Sequence, residues 1–184
     1  MKYRITPVQS ARFGLVVTKT GLLRGKKHLF LFDRYEGEFS HDPDGPAGAE
    51  NTTVYFTLSP SNIVCEDTWV NASDRKKILA TTLHDMLAVD RYPDLVFRSE
   101  KITVRAEREY EVWGQLTVRG IDKPARVKVS LTNEPAGYIR LDGAAVLRLT
   151  DYGLTPPSAL LGAIGTRDQI EVSFRLVAQP DQAT

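Results

Sequence analysis

The sequence is poor in cysteine and carries no excess of charge of either sign. Its 184 residues include a single cysteine, Cys65, so no disulfide can form within the chain. The neighbouring Ile63 and Val64 indicate a small core residue rather than a reactive thiol. Lys and Arg number 24 against 23 Asp and Glu, which leaves a formal net charge of +1. That balance argues against the strongly basic surface of a nucleic-acid-binding protein.

Long apolar runs are also missing. No stretch approaches the ~20 apolar residues that a membrane-spanning helix needs. No apolar segment follows the early basic residues Lys2 and Arg4, as it would in a secretory signal. The chain as written therefore predicts a cytoplasmic protein without a membrane span. A periplasmic protein whose leader had been removed would have the same sequence.

Motifs for catalysis and for metal binding are missing as well. There is no P-loop, no nucleophile elbow and no dinucleotide fingerprint. The histidines His28, His41 and His84 do not have the spacing of metal ligands. Residues 42–45 begin like a calcium loop but lack its later ligands. These absences predict a protein that is not an enzyme and that uses no metal or cofactor.

Most of the sequence alternates between apolar and polar residues. Clear examples are residues 13–17, 54–58, 112–118, 127–131 and 170–176. Such alternation is typical of antiparallel strands with one buried and one wet face. Segments rich in Gly, Pro, Asp and Asn, among them the expected loop at 42–46, separate these strands. About eight strands at this spacing predict an all-β barrel or sandwich.

One segment, residues 73–87, has a helical spacing instead. Its apolar residues recur every three or four positions, with Ser73 as the expected N-cap and Asp74 in the first turn. Such a helix could lie across the mouth of a barrel. No linker or repeat divides the chain, so we expect one domain over residues 1–178 and a frayed polar tail at 179–184.

Several motifs, in a fixed order along the chain, are similar to those of one family. Residues 11–17 resemble its opening strand, and residues 114–124 resemble its "G.LT..G..KP" strand and turn. Residues 150–155 resemble its "R.DFGLT" motif, with Thr150 and Tyr152 as variants. Together with similar segments at 90–99 and 164–172, the motifs span about residues 3–178. On these residues the chain is identified as a member of the YceI-like polyisoprenoid-binding family.

The resemblance implies an eight-stranded antiparallel lipocalin-like barrel with one inserted α-helix. It also implies an apolar cavity for a long-chain polyisoprenoid lipid, such as an isoprenoid quinone or a prenyl diphosphate. The expected function is therefore non-enzymatic lipid binding, storage or transport. The alternative is an interaction or structural barrel protein that is filled by its own side chains and binds no lipid. Trp113, on the polar side of its strand, would then be a candidate contact in a homodimer.

The candidate site residues fall into two sets. The apolar set would line the cavity, and for each member ordinary core packing is the alternative role. It consists of Phe13, Leu15, Phe32, Phe39, Phe56, Leu79, Leu83, Met86, Phe97, Leu147 and Phe174. The basic set would hold a head group at the cavity mouth, with a solvated turn as the alternative. It consists of Arg24, Lys26, Lys27 and His28.

Overall fold

The computed structural model of the protein describes residues 1–41 and 52–181. The loop predicted at 42–46 and the last residues of the predicted tail, 182–184, lie outside the described residues. The strands are β1 (Lys2–Ile5), β2 (Arg12–Gly21), β3 (Lys27–Phe32), β4 (Tyr35–Ser40), β5 (Val54–Leu58), β6 (Val64–Cys65), β7 (Leu95–Ala106), β8 (Glu109–Val118), β9 (Ile121–Asn133), β10 (Ile139–Arg148) and β11 (Ile164–Pro180).

Eight of these strands close into an antiparallel barrel. They pair in the order β1-β4-β5-β7-β8-β9-β10-β11, and β1 pairs in turn with β11. Alternation in sequence becomes alternation in burial: on β11, Ile170, Val172 and Leu176 are buried while the residues between them are more exposed. The predicted all-β, eight-stranded antiparallel barrel is confirmed.

The last strand, β11, pairs with two different strands along one of its edges. Its first part, Ile164–Arg175, pairs with β2, and its end, Ala178–Pro180, pairs with β1. Strand β2 pairs with β3, and β3 pairs with β6, so these three strands extend the sheet from β11 beyond the eight-stranded ring. The prediction that the chain frays from residue 179 is wrong at its start, because Gln179 and Pro180 are paired with β1.

The helix lies where the sequence predicted it. Helix α1 (Ala72–Ala80) continues directly into a π-helical segment, Thr81–Met86. The N-cap is Asn71 rather than the predicted Ser73, since the Asn71 side chain accepts a 2.8 Å hydrogen bond from the Asp74 backbone. None of the helices in the described part of the chain has the length and apolar character that crossing a bilayer requires.

Three phenylalanine rings are stacked across the inside of the barrel. Phe13 stacks on Phe56 and on Phe174, each with a centroid separation of 5.7 Å. Glycines make room for the outer rings, because a Cβ on Gly143 would lie 2.2 Å from the Phe174 ring and one on Gly37 would lie 2.7 Å from Phe56. The stack joins β2, β5 and β11 through side chains as well as through backbone pairing.

The outer wall carries the tryptophan that the sequence placed on the polar side of β8. Trp113 is 38% exposed, and the Arg126 guanidinium lies 5.3 Å from the centre of its ring. Its outward orientation agrees with the alternation of the strand. A role for Trp113 in a homodimer stays a prediction.

Gly114 offers a test of the close strand packing in β7 and β8. We expect Gly114→Ala to lower the free energy of unfolding by about 1–3 kcal/mol, because its Cβ would lie 2.1 Å from the Arg98 carbonyl oxygen. Urea denaturation measures the change. The control is Gly14→Ala, whose Cβ would meet nothing closer than 3.4 Å and should change stability by less than ~1 kcal/mol. Equal losses of unfolding free energy in the two variants would contradict the close packing of β7 against β8 at Gly114.

Candidate ligand-binding cavity

A cavity of about 540 Å³ runs inside the barrel, between the strands and the helix. This volume lies within the range of pockets that hold small ligands, roughly 300–1,000 Å³. The barrel is therefore not filled by its own side chains, which removes the structural basis of the filled-barrel alternative. Most of the lining side chains are Phe, Leu, Ile and Val.

Most of the predicted apolar set meets at this cavity. Nine of its eleven members line the wall: Phe13, Leu15, Phe32, Phe39, Phe56, Met86, Phe97, Leu147 and Phe174. The structure places Leu79 and Leu83 elsewhere, packed against the core beside the lining face of the helix. The face of the helix that lines the cavity carries Ile78, Thr82 and Met86. Binding of a ligand by the nine residues stays a prediction.

The predicted basic set does not meet at the cavity. Only His28 lines it, whereas Arg24 and Lys26 are exposed on the turn between β2 and β3 and Lys27 is exposed at the start of β3. These three residues therefore do not line the cavity, and their role in holding a head group at its mouth stays a prediction.

A different lysine, Lys19, does reach the cavity. It lies on β2 with the same parity as the lining residues Leu15 and Val17, a signal that the sequence contained. Its Nζ donates a 3.0 Å hydrogen bond to Thr166 Oγ1, and it forms no ion pair with any residue in the described ranges. Burial lowers the pKa of Lys19. The apolar cavity thus contains a half-buried cation that has a hydroxyl partner but no counter-charge.

Tyr152 is a second polar group on the cavity wall. Its side chain is buried at 5% exposure, and its hydroxyl has no hydrogen-bond partner among the described residues. Burial, together with the neighbouring Asp151 carboxylate, raises the pKa of Tyr152 to about 12. The hydroxyl is therefore protonated at neutral pH and can donate a hydrogen bond to an oxygen that enters the cavity.

His28 belongs to a buried polar cluster with Cys65 and Asp67. The His28 Nδ1 lies 2.5 Å from Asp67 Oδ2, and the Cys65 thiol donates to the same oxygen at 3.0 Å. The Leu29 backbone N–H donates to Asp67 Oδ1 at 2.9 Å, and the Trp69 ring stacks on His28 at 5.0 Å. These contacts hold the segment after β6 against β3. Sequence reasoning missed the cluster because His28 and Asp67 are 39 residues apart.

Two members of the cluster, Asp67 and Cys65, have shifted pKa values. Burial raises the pKa of Asp67, but the hydrogen bonds from Cys65, His28 and Leu29 outweigh burial and hold that pKa below its ordinary range. Burial and the hydrogen bond to Asp67 raise the pKa of Cys65 to about 11, so its thiol is protonated and a weak nucleophile. The ligand atoms of His28, Cys65 and Asp67 lie within 4.8 Å of one another, close enough for a metal ion. As they stand, the three side chains satisfy one another's hydrogen bonds.

The Asp67 carboxylate is open to a stability test. We expect Asp67→Asn to lower the free energy of unfolding by about 1–3 kcal/mol at neutral pH, because buried donors lose their acceptor. The pKa of Asp67 is depressed in the folded state. The stabilisation that its carboxylate contributes is therefore complete above about pH 4, and it is lost as the pH falls through the pKa of Asp67 in the folded protein. The difference between wild type and variant in urea denaturation should therefore narrow in acid.

An exposed pair provides the control for that test. His84 Nδ1 lies 3.2 Å from Asp90 Oδ2, and the Asp90 side chain is 86% exposed. Asp90→Asn should leave stability within about 1 kcal/mol of wild type, since exposed pairs contribute little. A loss at Asp67 no larger than that at Asp90 would show that the buried cluster does not stabilise the fold.

Comparison with known proteins assigns the family. The YceI-like domain matches residues 3–178, nearly the whole chain. The chain belongs to the YceI-like family. A UPF0312 protein of Pseudomonas putida is 29% identical over 133 residues, which is 70% of this chain and 64% of that protein. Another from Pseudomonas savastanoi pv. phaseolicola is 28% identical over 148 residues, 78% of this chain and 70% of that protein. The YceI-like chain thus spans under two thirds of the length of the P. putida relative.

Solved structures share the fold. BcnA of Burkholderia cenocepacia superposes with a TM-score of 0.71 at 18% identity, covering 92% of this YceI-like chain and 96% of BcnA. The Campylobacter jejuni YCEI protein gives a TM-score of 0.60 at 16% identity, covering 83% of this chain and 85% of that one. At these identities the likeness concerns the barrel alone.

Proposed function

We propose that this YceI-like protein binds, stores or transports a long-chain polyisoprenoid lipid without chemical change to it. The observation that carries the proposal is the apolar cavity of about 540 Å³ inside a closed barrel. An isoprenoid tail needs only apolar contacts, and burial stabilises it by about 0.8 kcal/mol for each CH₂ group. A few isoprene units can therefore offset an association cost of about 4–15 kcal/mol.

The distribution of polar groups along the cavity supports a ligand with a long tail. At one end, His41 and Tyr110 line the wall, with their rings 6.4 Å apart. At the other end lie Lys19 and Arg148, near the last residues of β2 and β10. Phenylalanine, leucine and valine side chains occupy the wall between them. An amphiphile can place its tail along this apolar stretch and its head group at one end.

The test fills the cavity without introducing a charge. Ala145 lines the cavity on β10, and the adjacent Ala144 is exposed on the outer face. We expect Ala145→Phe to remain folded and to lose the lipid, because the new ring occupies the volume of the tail. Ala144→Phe, with the same change of side chain on the outside, should keep the lipid. Native mass spectrometry of protein purified without detergent, followed by organic extraction, measures retention.

The outcomes are distinct. A stoichiometric adduct on wild type, released as a prenyl-type molecule and lost only in Ala145→Phe, is the expected result. Equal retention in both variants would show that the lipid binds outside the cavity. The proposal fails if wild type is free of lipid and also binds neither an added isoprenoid quinone nor an added prenyl diphosphate.

A further inference from the structure

We infer that the cavity end around Lys19 and Tyr152 binds a head group with an anionic oxygen, such as a phosphate or a carboxylate. The inference rests on the proposed function for the tail of the ligand and adds the chemical class of its head. Neither residue belongs to the basic set that the sequence suggested. Both line the same cavity, and both have hydrogen-bonding capacity that the described protein groups leave unused.

The two side chains belong to the same end of the barrel. Val17 pairs with Ile170, and Lys19 follows Val17 by two residues on the same inward face of β2. Tyr152 is buried in a cluster with Ile170, against which Val17 also packs. A head group that reaches this end therefore meets an ammonium group and a phenolic hydroxyl across a short stretch of wall.

The Lys19 ammonium and the Tyr152 hydroxyl are both hydrogen-bond donors, and together they favour an anionic group over a neutral one. A cation removed from water is costly unless it meets an opposite charge, and Lys19 has only the Thr166 hydroxyl. Arg148, at the same end, is already paired with Asp168 at 3.4 Å. Tyr152 is a donor, and a phenylalanine would fill its place without leaving a buried hydroxyl unpaired. An anionic head group at this end would balance the charge of Lys19 and offer oxygens that accept hydrogen bonds from Lys19 and Tyr152.

The experiment compares two probes that share a tail. Geranylgeranyl diphosphate has an anionic head, and geranylgeraniol has a neutral hydroxyl. In competitive native mass spectrometry, wild type should prefer the diphosphate by about tenfold or more. Lys19→Met and Tyr152→Phe should each reduce that preference by about tenfold while still binding the alcohol. Lys101→Met and Tyr55→Phe change the same residue types at more exposed positions outside the cavity lining and should behave as wild type.

The results separate this inference from the proposed function. If wild type binds both probes without preference, or if the preference survives in both cavity variants, the anion site is overturned and lipid binding stands. If wild type binds neither probe, both proposals fail.

A second inference, carried by a different observation, concerns the outside of the same end. Three leucines project from the rim there, and we call them the leucine rim: Leu22 is 75% exposed, Leu160 68% and Leu161 109%. The Leu22 backbone N–H donates to the Ala163 carbonyl at 2.9 Å, so the β2–β3 turn and the turn before β11 lie side by side. The rim adjoins the cavity, whose lining includes Ser158 and Ala159.

The fold does not explain why these leucines are there. Leu160 and Leu161 have φ angles of 51° and 54°, in the left-handed region that is strained for leucine. Burial does not offset that strain, since both side chains face water. Strained residues that present apolar side chains to solvent indicate a partner outside the molecule.

The charges beside the leucine rim identify the partner. Arg24 and Lys26 are exposed on the same turn as Leu22, and Lys27 is exposed at the start of β3. No ion pair engages these three residues in the described parts of the chain. Residues 16–32 contain no acidic residue. Protruding leucines flanked by cations match a bilayer with anionic head groups, where apolar tips enter the interface. A protein partner would instead need a broad surface of about 800 Å² on each side. We infer that the leucine rim docks on an anionic membrane.

Vesicle flotation tests the docking directly. Wild type should float with vesicles of phosphatidylcholine and phosphatidylglycerol but not with phosphatidylcholine alone. A double variant, Leu160→Ser with Leu161→Ser, should bind the mixed vesicles at least tenfold more weakly, and so should Lys26→Gln with Lys27→Gln. Val146→Ser removes an apolar side chain that is 55% exposed on the barrel wall and should bind like wild type.

The docking inference stands or falls independently of the cavity's contents. Failure of wild type to float with either vesicle type would overturn it, as would equal binding by the leucine variant.

Discussion

The rest of the structure depends on closure of the barrel by its shortest ring strand. Strand β1 is only four residues long, yet it pairs with β4 on one side and with the end of β11 on the other. This pairing satisfies backbone groups that an open sheet would leave at its edges. Because the ring is held by its own hydrogen bonds and by the Phe13 stack, its interior can keep a cavity instead of a fully packed core.

Closure also explains why polar groups lie where they do. Inward positions along the middle of the strands carry mostly hydrocarbon side chains, because a polar group removed from water without a partner is costly. On the strands, polar lining side chains such as Lys19 and His28 lie near strand ends. The buried His28 has Asp67 as its hydrogen-bond partner. The strand wall of the interior is therefore apolar along its middle and more polar towards its ends.

Much of this arrangement could be predicted from the sequence, because strand parity is local. The alternation around Phe13 and around Phe174 placed both side chains inward, and the same parity on β2 could also have identified Lys19, which the sequence analysis did not name. Contacts between segments that are distant in sequence could not be predicted. The hydrogen bond between His28 and Asp67 depends on how β3 pairs with β6, and the direction of the turn that carries Lys26 depends on how β2 pairs with β3. The helix was found from its periodicity, but Leu79 and Leu83 pack against the core and do not line the cavity.

The connection between β10 and β11, residues 149–163, joins the inside of the barrel to its surroundings. It carries the buried Tyr152 on the cavity wall and the exposed Leu161 at the rim. A loop on a rigid scaffold can hold both features because the paired strands on either side fix its two ends. If a lipid enters from a membrane through this end of the barrel, the same connection would carry a residue that contacts the bilayer, Leu161, and a hydrogen-bond donor inside the cavity, Tyr152. The left-handed backbone at Leu161 is then part of how the loop turns outward after lining the cavity.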